Sequence, residues 1–351
     1  MIKHARTHGL AVIPRGAGHS TSGQAQAPEG FVLDMTSLAT IHDISPTQVV
    51  VDAGARWSDV LRATLPHGLT PPVLTDYLEL TVGGTLSVGG LGGASHHHGA
   101  QTDNVLSLEV VTPAGETITC APTSNREIFD AVRAGRGRNG VITRATLRLI
   151  PAPEFVQWHK LHCTDTDQLV ADQRLLVNAG TFGYVEGQLK IRDGHHVAEL
   201  EAVAFNASQG NLNGLAFQDI ETQSTTYWDF LNRLASGEPL LREAGLWDSP
   251  HPWCNVLVPS SAAEGLLQHL QQELGADLYS DFGLVLAYPL ISSKITTPRL
   301  RLPPGDLVFL IAALRYSPTD APDVVTAMQQ ANDVLVTKAL NAGGTLYLAP
   351  L

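Results

Sequence analysis

The chain has little cysteine, few basic residues and no long apolar run, and each shortage narrows its class. Cys120, Cys163 and Cys254 stand far apart, without a disulfide framework or metal-site spacing, so a reducing, cytoplasmic location is expected. Lysine and arginine total 22 against 34 acidic residues, for a net charge of −12, which argues against nucleic acid or an anionic membrane as main partner. No apolar stretch approaches a membrane span, and residues 1–12 lack the apolar centre of a signal peptide.

Length and composition predict more than one domain. A chain of 351 residues with 44% hydrophobic content is long enough for two or three packed cores. Pro151 and Pro153 mark the boundary, because paired prolines stiffen connections and end strands. We therefore expect one domain over residues 1–153, a second over 154–344, and a return towards the first over 345–351.

Short strands and helices are predicted for the first domain. Residues 2–8 form a helix that Gly9 ends, and the strand LAVIP follows. FVLDMTSL and QVVVDAGA are two further strands before a helix from Trp57 to about Leu65, whose expected N-cap is Ser58 or its neighbour. VLSLEVVTPAGETITC predicts a hairpin with PAGE as its turn.

Both ends of the chain break off inside patterns that normally continue. A helix leading into a buried strand normally follows an earlier strand, and none precedes residues 2–8. At the other end, GGTLYLAPL is a glycine turn and an apolar strand, at which the sequence stops. A longer fold is therefore expected at both ends.

The second domain alternates helical and strand patterns. The helical ones are QLVADQRLLVNAG, AAEGLLQHLQQELG and DVVTAMQQANDVLV, and the strand ones are YVEGQLKIRD, AELEAVAF, WCNVLVP and LVFLIAALRY. This alternation predicts an α+β domain with one antiparallel sheet and helices on one face.

One glycine motif matches the letters of a nucleotide-binding loop, but its flanking elements do not fit such a loop. GRGRNG, residues 135–140, fits G-x-G-x-x-G, which requires a strand before it and a helix after it. Here NREIFDAVRAG is a helix that Gly135 ends, and GVITRATLRLIPAP is a strand that follows. Because the order is reversed, a Rossmann NAD site is not expected.

Three glycine-rich stretches, residues 14–24, 81–93 and 135–140, point instead to a dinucleotide bound by several loops. Backbone N–H groups of such loops cradle phosphates without a helix dipole, and ligand sites concentrate at domain interfaces. PRGAGHSTSGQAQ, which surrounds His19, has the alternative reading of a surface turn with a solvated histidine. Glycine-rich turns alone explain one such stretch well and three poorly.

The sequence resembles the cytokinin dehydrogenases, FAD-dependent amine oxidoreductases of the vanillyl-alcohol oxidase type, or PCMH-type, flavoprotein superfamily. The resemblance rests on PRGAGHSTSGQA, TDYLELTVGGTLSVGGLGG, HGAQTDNVLSLEVVTPAGE, GVITRATLRLIPAP and SPHPWCNVLVP, in this order. It covers residues 2–153 densely and the second half thinly. It implies a PCMH-type FAD-binding domain and a substrate domain with an antiparallel sheet flanked by helices.

The resemblance also implies the cofactor-binding residues. His19 in the GHS motif matches the histidine that links covalently to the 8α-methyl carbon of FAD, a role that requires a neutral imidazole nitrogen. The other implied FAD-contacting positions are Pro14, Arg15, Gly16, Ala17, Gly18, Ser20, Gln24, Asp76, Thr81, Ser87, Leu91, Val141 and Tyr347.

Two carboxylates are candidates for proton chemistry. Asp76 in TDYL matches the family's catalytic aspartate, which holds the N–H of a secondary amine and accepts its proton. Its alternative role is to cap a turn after PPVLT. Glu186 in YVEGQ is the second candidate, at the mouth of the site, and its alternative is an outward-facing strand residue.

PHPW, residues 250–253, is expected to shape the substrate pocket, with Trp253 offering an apolar face to a planar adenine or its side chain. The alternative for Trp253 is a core tryptophan at a strand start. The run HHH, residues 96–98, is not expected to hold a metal, because adjacent residues of an extended chain point to opposite faces. His98 is expected to pack the flavin loop.

The chain departs from the family pattern in three places. Relatives carry another strand and helix before the segment that matches residues 2–8, and a further tail after the tyrosine motif. Without these parts, FAD retention is an open point. The stretch GLGGASHHHG has no cysteine, which disfavours a second, cysteinyl link to the flavin.

The leading hypothesis is FAD-dependent oxidation of N6-alkyl adenines to an imine, which water hydrolyses to adenine and an aldehyde. Oxygen or a quinone is the expected electron acceptor. The first alternative is a flavin-dependent oxidase of an alcohol, sugar or hydroxy acid. The second is a truncated, non-catalytic remnant of the flavin fold.

Overall fold

Short strands and short helices make up the first half of the chain. The computed structural model describes residues 1–206, 210–274, 282–318 and 321–347. Up to Pro151 the elements are α1 (Ile2–Thr7), β1 (Ala11–Arg15), β2 (Gly30–Asp34), β3 (Ile41–Ser45), β4 (Gln48–Asp52), α2 (Trp57–Thr64), β5 (Leu69–Thr70), α3 (Val82–Leu86), α4 (Ser95–His98), β6 (Val105–Val111), β7 (Thr117–Cys120), α5 (Arg126–Val132), β8 (Val141–Arg148) and β9 (Ile150–Pro151).

These strands form three sheets. β1 and β2 pair in parallel, β5 pairs with β9, and an antiparallel sheet has the order β3-β4-β8-β6-β7. Successive residues of a strand face opposite sides, so Val49 and Val51 of β4 and Ala145 and Leu147 of β8 enter one core. Trp57 at the start of α2 packs into the same core. The glycine-rich stretches connect these elements at their ends.

Several local predictions for this half are confirmed. α1 ends before Gly9, whose φ of +65° is the left-handed conformation that glycine tolerates. β6 and β7 pair as the expected antiparallel hairpin. Residues 135–140 follow α5 and precede β8, so the setting of a Rossmann loop is absent from this described segment.

Other local predictions are wrong. α2 has the predicted start at Trp57, but its N-cap is Arg56, and Ser58 is a fully buried residue of its first turn. α5 ends at Val132, three residues before Gly135. β3 was not predicted, because its pattern IHDIS mixes polar and apolar residues without clean alternation.

Longer strands and helices make up the second half. They are β10 (Phe155–Cys163), α6 (Thr166–Ala179), β11 (Tyr184–Arg192), β12 (His195–Ala204), β13 (Asp219–Thr226), α7 (Tyr227–Leu231), α8 (Gly237–Glu243), β14 (Cys254–Pro259), α9 (Ala263–Glu273), β15 (Leu284–Ile291), β16 (Leu307–Leu314), α10 (Pro322–Asn341) and β17 (Thr345–Leu346). Residues 348–351, the end of the expected return towards the first domain, lie outside the described residues.

One antiparallel sheet with the order β13-β10-β12-β11-β15-β16-β14-β17 organises this half. α6, α9 and α10 cover one face, where Leu200 of β12 shares a core with Leu169, Leu267 and Leu335 of the three helices. This confirms the α+β class and the placement of helices on one face. The sequence patterns did not predict β10, β13 and β15.

The opposite face of the sheet packs against the first half of the chain. Tyr184 of β11 and Val203 of β12 share a core with Leu74 and Leu78, so the segment around TDYL lies against the centre of the sheet. Within the described parts of the chain, no helix combines the length and the apolar character needed to cross a membrane.

Candidate active site

The loop that follows β1 offers a row of unused backbone donors. Within the described residues, none of the backbone N–H groups of residues 16–20 donates a hydrogen bond to the protein. Gly18 has a φ of +71°, a left-handed conformation typical of loops whose successive N–H groups form an anion-binding concavity. Such a concavity suits the phosphates of a nucleotide.

The three glycine-rich stretches converge, as the sequence predicts. A Cβ built on Gly16 would lie 1.9 Å from Oγ1 of Thr81, so the first stretch touches the second through a glycine that cannot carry a side chain. The N–H of Arg136 donates to the carbonyl of Ser87 at 2.8 Å, which joins the second stretch to the third. A Cβ on Gly137 would lie 3.5 Å from Pro14, which closes the ring of loops.

The other expected cofactor-binding residues take varied positions. The Ser87 hydroxyl donates to the carbonyl of Gly83 at 2.7 Å, and Leu91 is buried in a cluster that also contains Tyr347. The Tyr347 hydroxyl accepts a hydrogen bond from the N–H of Gly90 at 3.1 Å.

Three of these residues are less directly tied to the loops. Val141 is the buried first residue of β8. Ser20 is exposed. The Gln24 side chain accepts a hydrogen bond from Ser22 at 2.9 Å within its own turn, so it folds back on its loop and does not point at the other two stretches.

His19 lies at one side of a cleft with a volume of about 760 Å³. The residues that line the cleft include Arg15, Gly16, Ala17, His19, Arg56, Tyr77 and Trp247. The imidazole of His19 stacks on Tyr77 at 5.1 Å and meets Trp253 edge-on at 5.5 Å between ring centroids. Burial, and then His251, lowers its pKa, so the ring is neutral at pH 7.

Asp76 stands beside Tyr77, and three donors hold its carboxylate. Oδ1 accepts hydrogen bonds from the Tyr184 hydroxyl at 2.5 Å and from Nη2 of Arg233 at 3.0 Å, and Oδ2 accepts one from the Tyr288 hydroxyl. The Asp76 side chain remains 15% exposed. The carboxylate is therefore fixed in orientation and remains partly exposed, next in the chain to Tyr77, which lines the cleft.

Glu186 lies next to Asp76 through Tyr184. The Tyr184 hydroxyl contacts Oε2 of Glu186 as well as Asp76. A phenol has one proton to donate, so one of these contacts needs a proton from a carboxyl group. Burial, and then the charge of Asp76, raises the pKa of Glu186 to about 8, which makes Glu186 the protonated partner at pH 7. At 2% exposure it is not the outward-facing residue of the alternative reading.

Sequence reasoning missed the residues that connect the two carboxyl groups. Tyr184 was recoverable, because it precedes Glu186 by two residues on β11 and so shares its face. Arg233 follows α7 in a 3₁₀ turn, Arg233–Ser236, and Tyr288 lies on the unpredicted β15. Their sequence settings carry no local signal for a site.

Trp253 belongs to an aromatic group that contacts His19. Its ring lies edge-on to His19 and to His251, both at 5.5 Å, and near Tyr316 at 5.9 Å. Its buried Nε1 has no partner among the described residues. An unpartnered buried indole N–H beside the cleft suits a ligand with an acceptor atom.

The three adjacent histidines form a short helix, α4, and the extended chain expected for them is wrong. Both ring nitrogens of His96 contact carbonyl oxygens, of Gly93 at 2.8 Å and of Phe182 at 3.1 Å, and His97 also reaches Phe182. Burial lowers the pKa of His96 to about 3 and that of His98 to about 4. These rings pack α4 against the second half of the chain.

The residues present fit FAD. Free backbone donors at 16–20, a site at Gly16 that a Cβ would fill, and a neutral imidazole that lines a cleft suit a flavin dinucleotide. The loop at residues 16–20 would hold the phosphates, and His19 would contact the flavin.

Comparison with protein families finds two family models that match parts of the chain. Residues 1–121 match a family model described as an FAD binding domain. Residues 211–349 match a second model, described as cytokinin dehydrogenase 1, FAD and cytokinin binding. The two matches cover the loops at residues 14–24 and 81–93 and the segment that contains Arg233.

Curated relatives extend the match over almost the whole chain. The uncharacterized oxidoreductase ORF5 in fasciation locus of Rhodococcoides fascians is 40% identical over 355 residues, which cover 99% of this chain and 80% of that protein. Cytokinin dehydrogenase 10 of Oryza sativa subsp. japonica is 37% identical over 88% of this chain and 66% of its own length. Cytokinin dehydrogenase 7 of the same plant is 36% identical over 89% and 69%, respectively.

Proposed function

The chain belongs to the cytokinin dehydrogenase family of FAD-dependent oxidoreductases, and from that premise we propose that it oxidises the N6 side chain of N6-alkyl adenines. The reaction converts the secondary amine to an imine, which water hydrolyses to adenine and an aldehyde. Bound FAD supplies the two-electron acceptor for the hydride. The observation that carries the proposal is the firmly oriented carboxylate of Asp76, next in the chain to Tyr77, which lines the same cleft as His19.

Asp76 accepts the proton of the substrate amine. Its two oxygens are held by Tyr184, Tyr288 and Arg233, so the base needs no reorientation when the amine arrives. Glu186, protonated and joined to Asp76 through Tyr184, supplies a second proton site next to the base. Trp253 is the apolar face for the adenine or its side chain.

His19 is the covalent anchor of the flavin in this proposal. The bond joins an imidazole nitrogen to the 8α carbon and replaces one methyl C–H and the imidazole N–H. Dioxygen takes the two electrons released. Support comes from the neutral imidazole at the edge of the cleft. Yellow colour that stays with acid-precipitated wild-type protein and leaves His19→Gln is the expected result, with His159→Gln as the matched histidine control.

Anaerobic bleaching tests the substrate class. Isopentenyladenine added without oxygen should bleach the yellow protein, and Asp76→Asn should slow the bleaching by about 100-fold or more, because a positioned base contributes about 10²–10⁴-fold. Loaded wild-type protein that lactate or sugars bleach, and isopentenyladenine does not, would reject the amine substrate. Protein that stays colourless after refolding with FAD would support the non-catalytic alternative.

The remaining assignments are also proposals. Oxygen or a quinone serves as the final acceptor. The domain boundary lies at Pro151 and Pro153, because the five-stranded sheet uses strands up to Arg148 and the eight-stranded sheet begins at Phe155. All three cysteines are free and buried, which supports a reducing, cytoplasmic location.

A further inference from the structure

We propose that Arg233 is the positioning residue of the active site, and that its buried guanidinium holds Asp76 ionised while Glu186 beside it carries a proton. The inference rests on the proposed function for its catalytic consequence. The contacts that carry it stand on the structure alone.

Arg233 brings one positive charge to a cluster of carboxyl groups from three parts of the chain. Its Nη2 donates to Asp76 at 3.0 Å and to Glu186 at 3.2 Å, and its Nε lies 3.6 Å from Glu201. The same Nη2 lies 2.6 Å from the Tyr184 hydroxyl oxygen, so its two hydrogens are shared among three acceptors. One cation therefore faces three carboxyl groups, and it cannot neutralise them all.

Aromatic rings fix the guanidinium in this place. Its Cζ lies 4.7 Å from the ring centroid of Phe230, 5.1 Å from that of Tyr184 and 6.0 Å from that of Trp158. Only 10% of its side chain is exposed. A planar guanidinium packed between rings keeps its fork in one orientation, and a lysine ammonium does not reproduce this.

The proton count of the cluster selects which carboxyl group is ionised. Tyr184 has one proton, and its oxygen already accepts from Arg233 and touches both Asp76 and Glu186. Asp76 receives three donors in total, with Tyr288 as the third, whereas Glu186 at 2% exposure lies deeper. The negative charge therefore resides on Asp76, and the added proton resides on Glu186.

The charged and titratable groups that face Arg233 and its carboxyl partners come from five elements. They are Asp76 before α3, Lys160 on β10, Tyr184 and Glu186 on β11, Glu199 and Glu201 on β12, and Tyr288 on β15. Burial works against the charged guanidinium, but Tyr184, Asp76, Glu201 and Glu186 raise the pKa of Arg233 overall. Burial raises the pKa of Glu201 as well. Arg233 therefore remains charged throughout the pH range of an assay.

Substitution of Arg233 tests the positioning role through pH dependence. In Arg233→Met, loss of the cation favours protonation of Asp76, so the acidic limb of kcat/KM for isopentenyladenine should move up by about one to three pH units. Arg233→Lys retains the charge, so its acidic limb should lie close to that of the wild type, while its kcat should be lower. Arg174→Met is the matched control, since Arg174 pairs with Glu264 in the second half, away from the site.

Three outcomes overturn the proposal. They are a uniform loss of kcat/KM at every pH in Arg233→Met, a limb that stays at the wild-type pH in that variant, and an equal shift in Arg174→Met. If Arg233→Met does not fold, Arg233→Lys decides. If the acidic limb of kcat/KM in Arg233→Lys lies within about half a pH unit of the wild-type limb and kcat is reduced, the positioning role is supported. An unchanged kcat in this variant contradicts it.

A measurement without substrate separates this inference from the proposed function. The pH dependence of the unfolding free energy reports proton uptake by the cluster. Arg233→Met should steepen its fall with rising pH, because Asp76 then takes up a proton on folding as well, and adding Asp76→Asn should remove most of the extra slope. If isopentenyladenine fails to bleach the wild type but this coupling is present, the proposed substrate is wrong and the positioning role of Arg233 is supported. If the coupling is absent, the positioning role of Arg233 is rejected, whichever substrate the protein oxidises.

Discussion

At the scale of single residues, the candidate site gives two neighbouring carboxyl groups different surroundings. Asp76 accepts hydrogen bonds from Tyr184, Tyr288 and Arg233, whereas Glu186 is enclosed, and burial and then Asp76 raise its pKa. Desolvation disfavours the charged form of a buried carboxyl group, and a neighbouring anion adds to the effect. The pair thus offers one proton acceptor and one proton donor within a single chain of contacts.

Glu186 should make the stability of the protein fall as the solution becomes more alkaline. Its pKa is about 8 in the folded protein against 4.5 ordinarily. The folded state therefore binds the proton more tightly, and the stability it gains is complete below pH 4.5 and lost as pH rises towards 8. In this window the group contributes a slope of about −1.4 kcal/mol per pH unit.

Glu186→Gln should remove that slope, as measured by urea unfolding at a series of pH values. Glu116→Gln, on the exposed hairpin turn, provides the matched control and should leave the wild-type slope in place. Equal slopes in wild type and Glu186→Gln would show that Glu186 is ionised in the folded protein.

At the scale of elements, the glycine loops show what local pattern does and does not predict. The composition of residues 14–24, 81–93 and 135–140 predicted a shared site, and the Gly16–Thr81 and Arg136–Ser87 contacts bring the three together. The short helix α3 inside the second stretch was not predicted, because glycine has low helix propensity and tertiary packing outweighs it there. Long strands and helices of the second half followed from periodicity, whereas β13, with its mixed sequence DIETQSTT, did not.

Gly16→Ala should loosen the cofactor cradle. The new methyl group would lie 1.9 Å from Oγ1 of Thr81, so the first two loops must move apart. We expect FAD affinity to fall by about 10-fold or more, the equivalent of at least ~1.4 kcal/mol, measured by fluorescence titration of apoprotein.

Gly265→Ala is the matched control for this change. Gly265 lies in α9, and nothing stands within 4 Å of its added Cβ. Alanine there should raise the unfolding free energy by about 0.5–1 kcal/mol, because it restricts the unfolded chain and favours the helix. FAD affinity equal to wild type in both variants would contradict a tight cradle at Gly16.

At the scale of the whole molecule, the site exists only where the two halves of the chain meet. Asp76 and His19 come from the first half, and Arg233, Glu186, Tyr288 and Trp253 come from the second. Motifs in the sequence identified the first-half residues, Glu186 and Trp253 as candidates. Arg233 and Tyr288 lie 157 and 212 residues from Asp76, and no local pattern specifies partners at that separation.

The junction can be tested at Tyr347, beyond the last strand of the large sheet. Its hydroxyl accepts from Gly90 of the first half, and Tyr347→Phe leaves that N–H without a partner. The unfolding free energy should fall by about 1–3 kcal/mol, measured by denaturant unfolding. Tyr316→Phe is the control, because Tyr316 contacts His251 and Trp253 through its ring. A loss within about 0.5 kcal/mol for Tyr347→Phe would show that the junction does not depend on this bond.

Because the N–H groups after β1 are unused, the anions in the buffer should affect how the apoprotein binds its cofactor. A row of amide donors turned to one concavity attracts any tetrahedral anion, although the chain as a whole carries a net charge of −12. Sulfate or phosphate in a purification buffer should therefore compete with the dinucleotide for binding to the loop at residues 16–20. Reconstitution followed by flavin fluorescence should run slower in sulfate than in chloride at equal ionic strength, and inorganic pyrophosphate should be the strongest competitor.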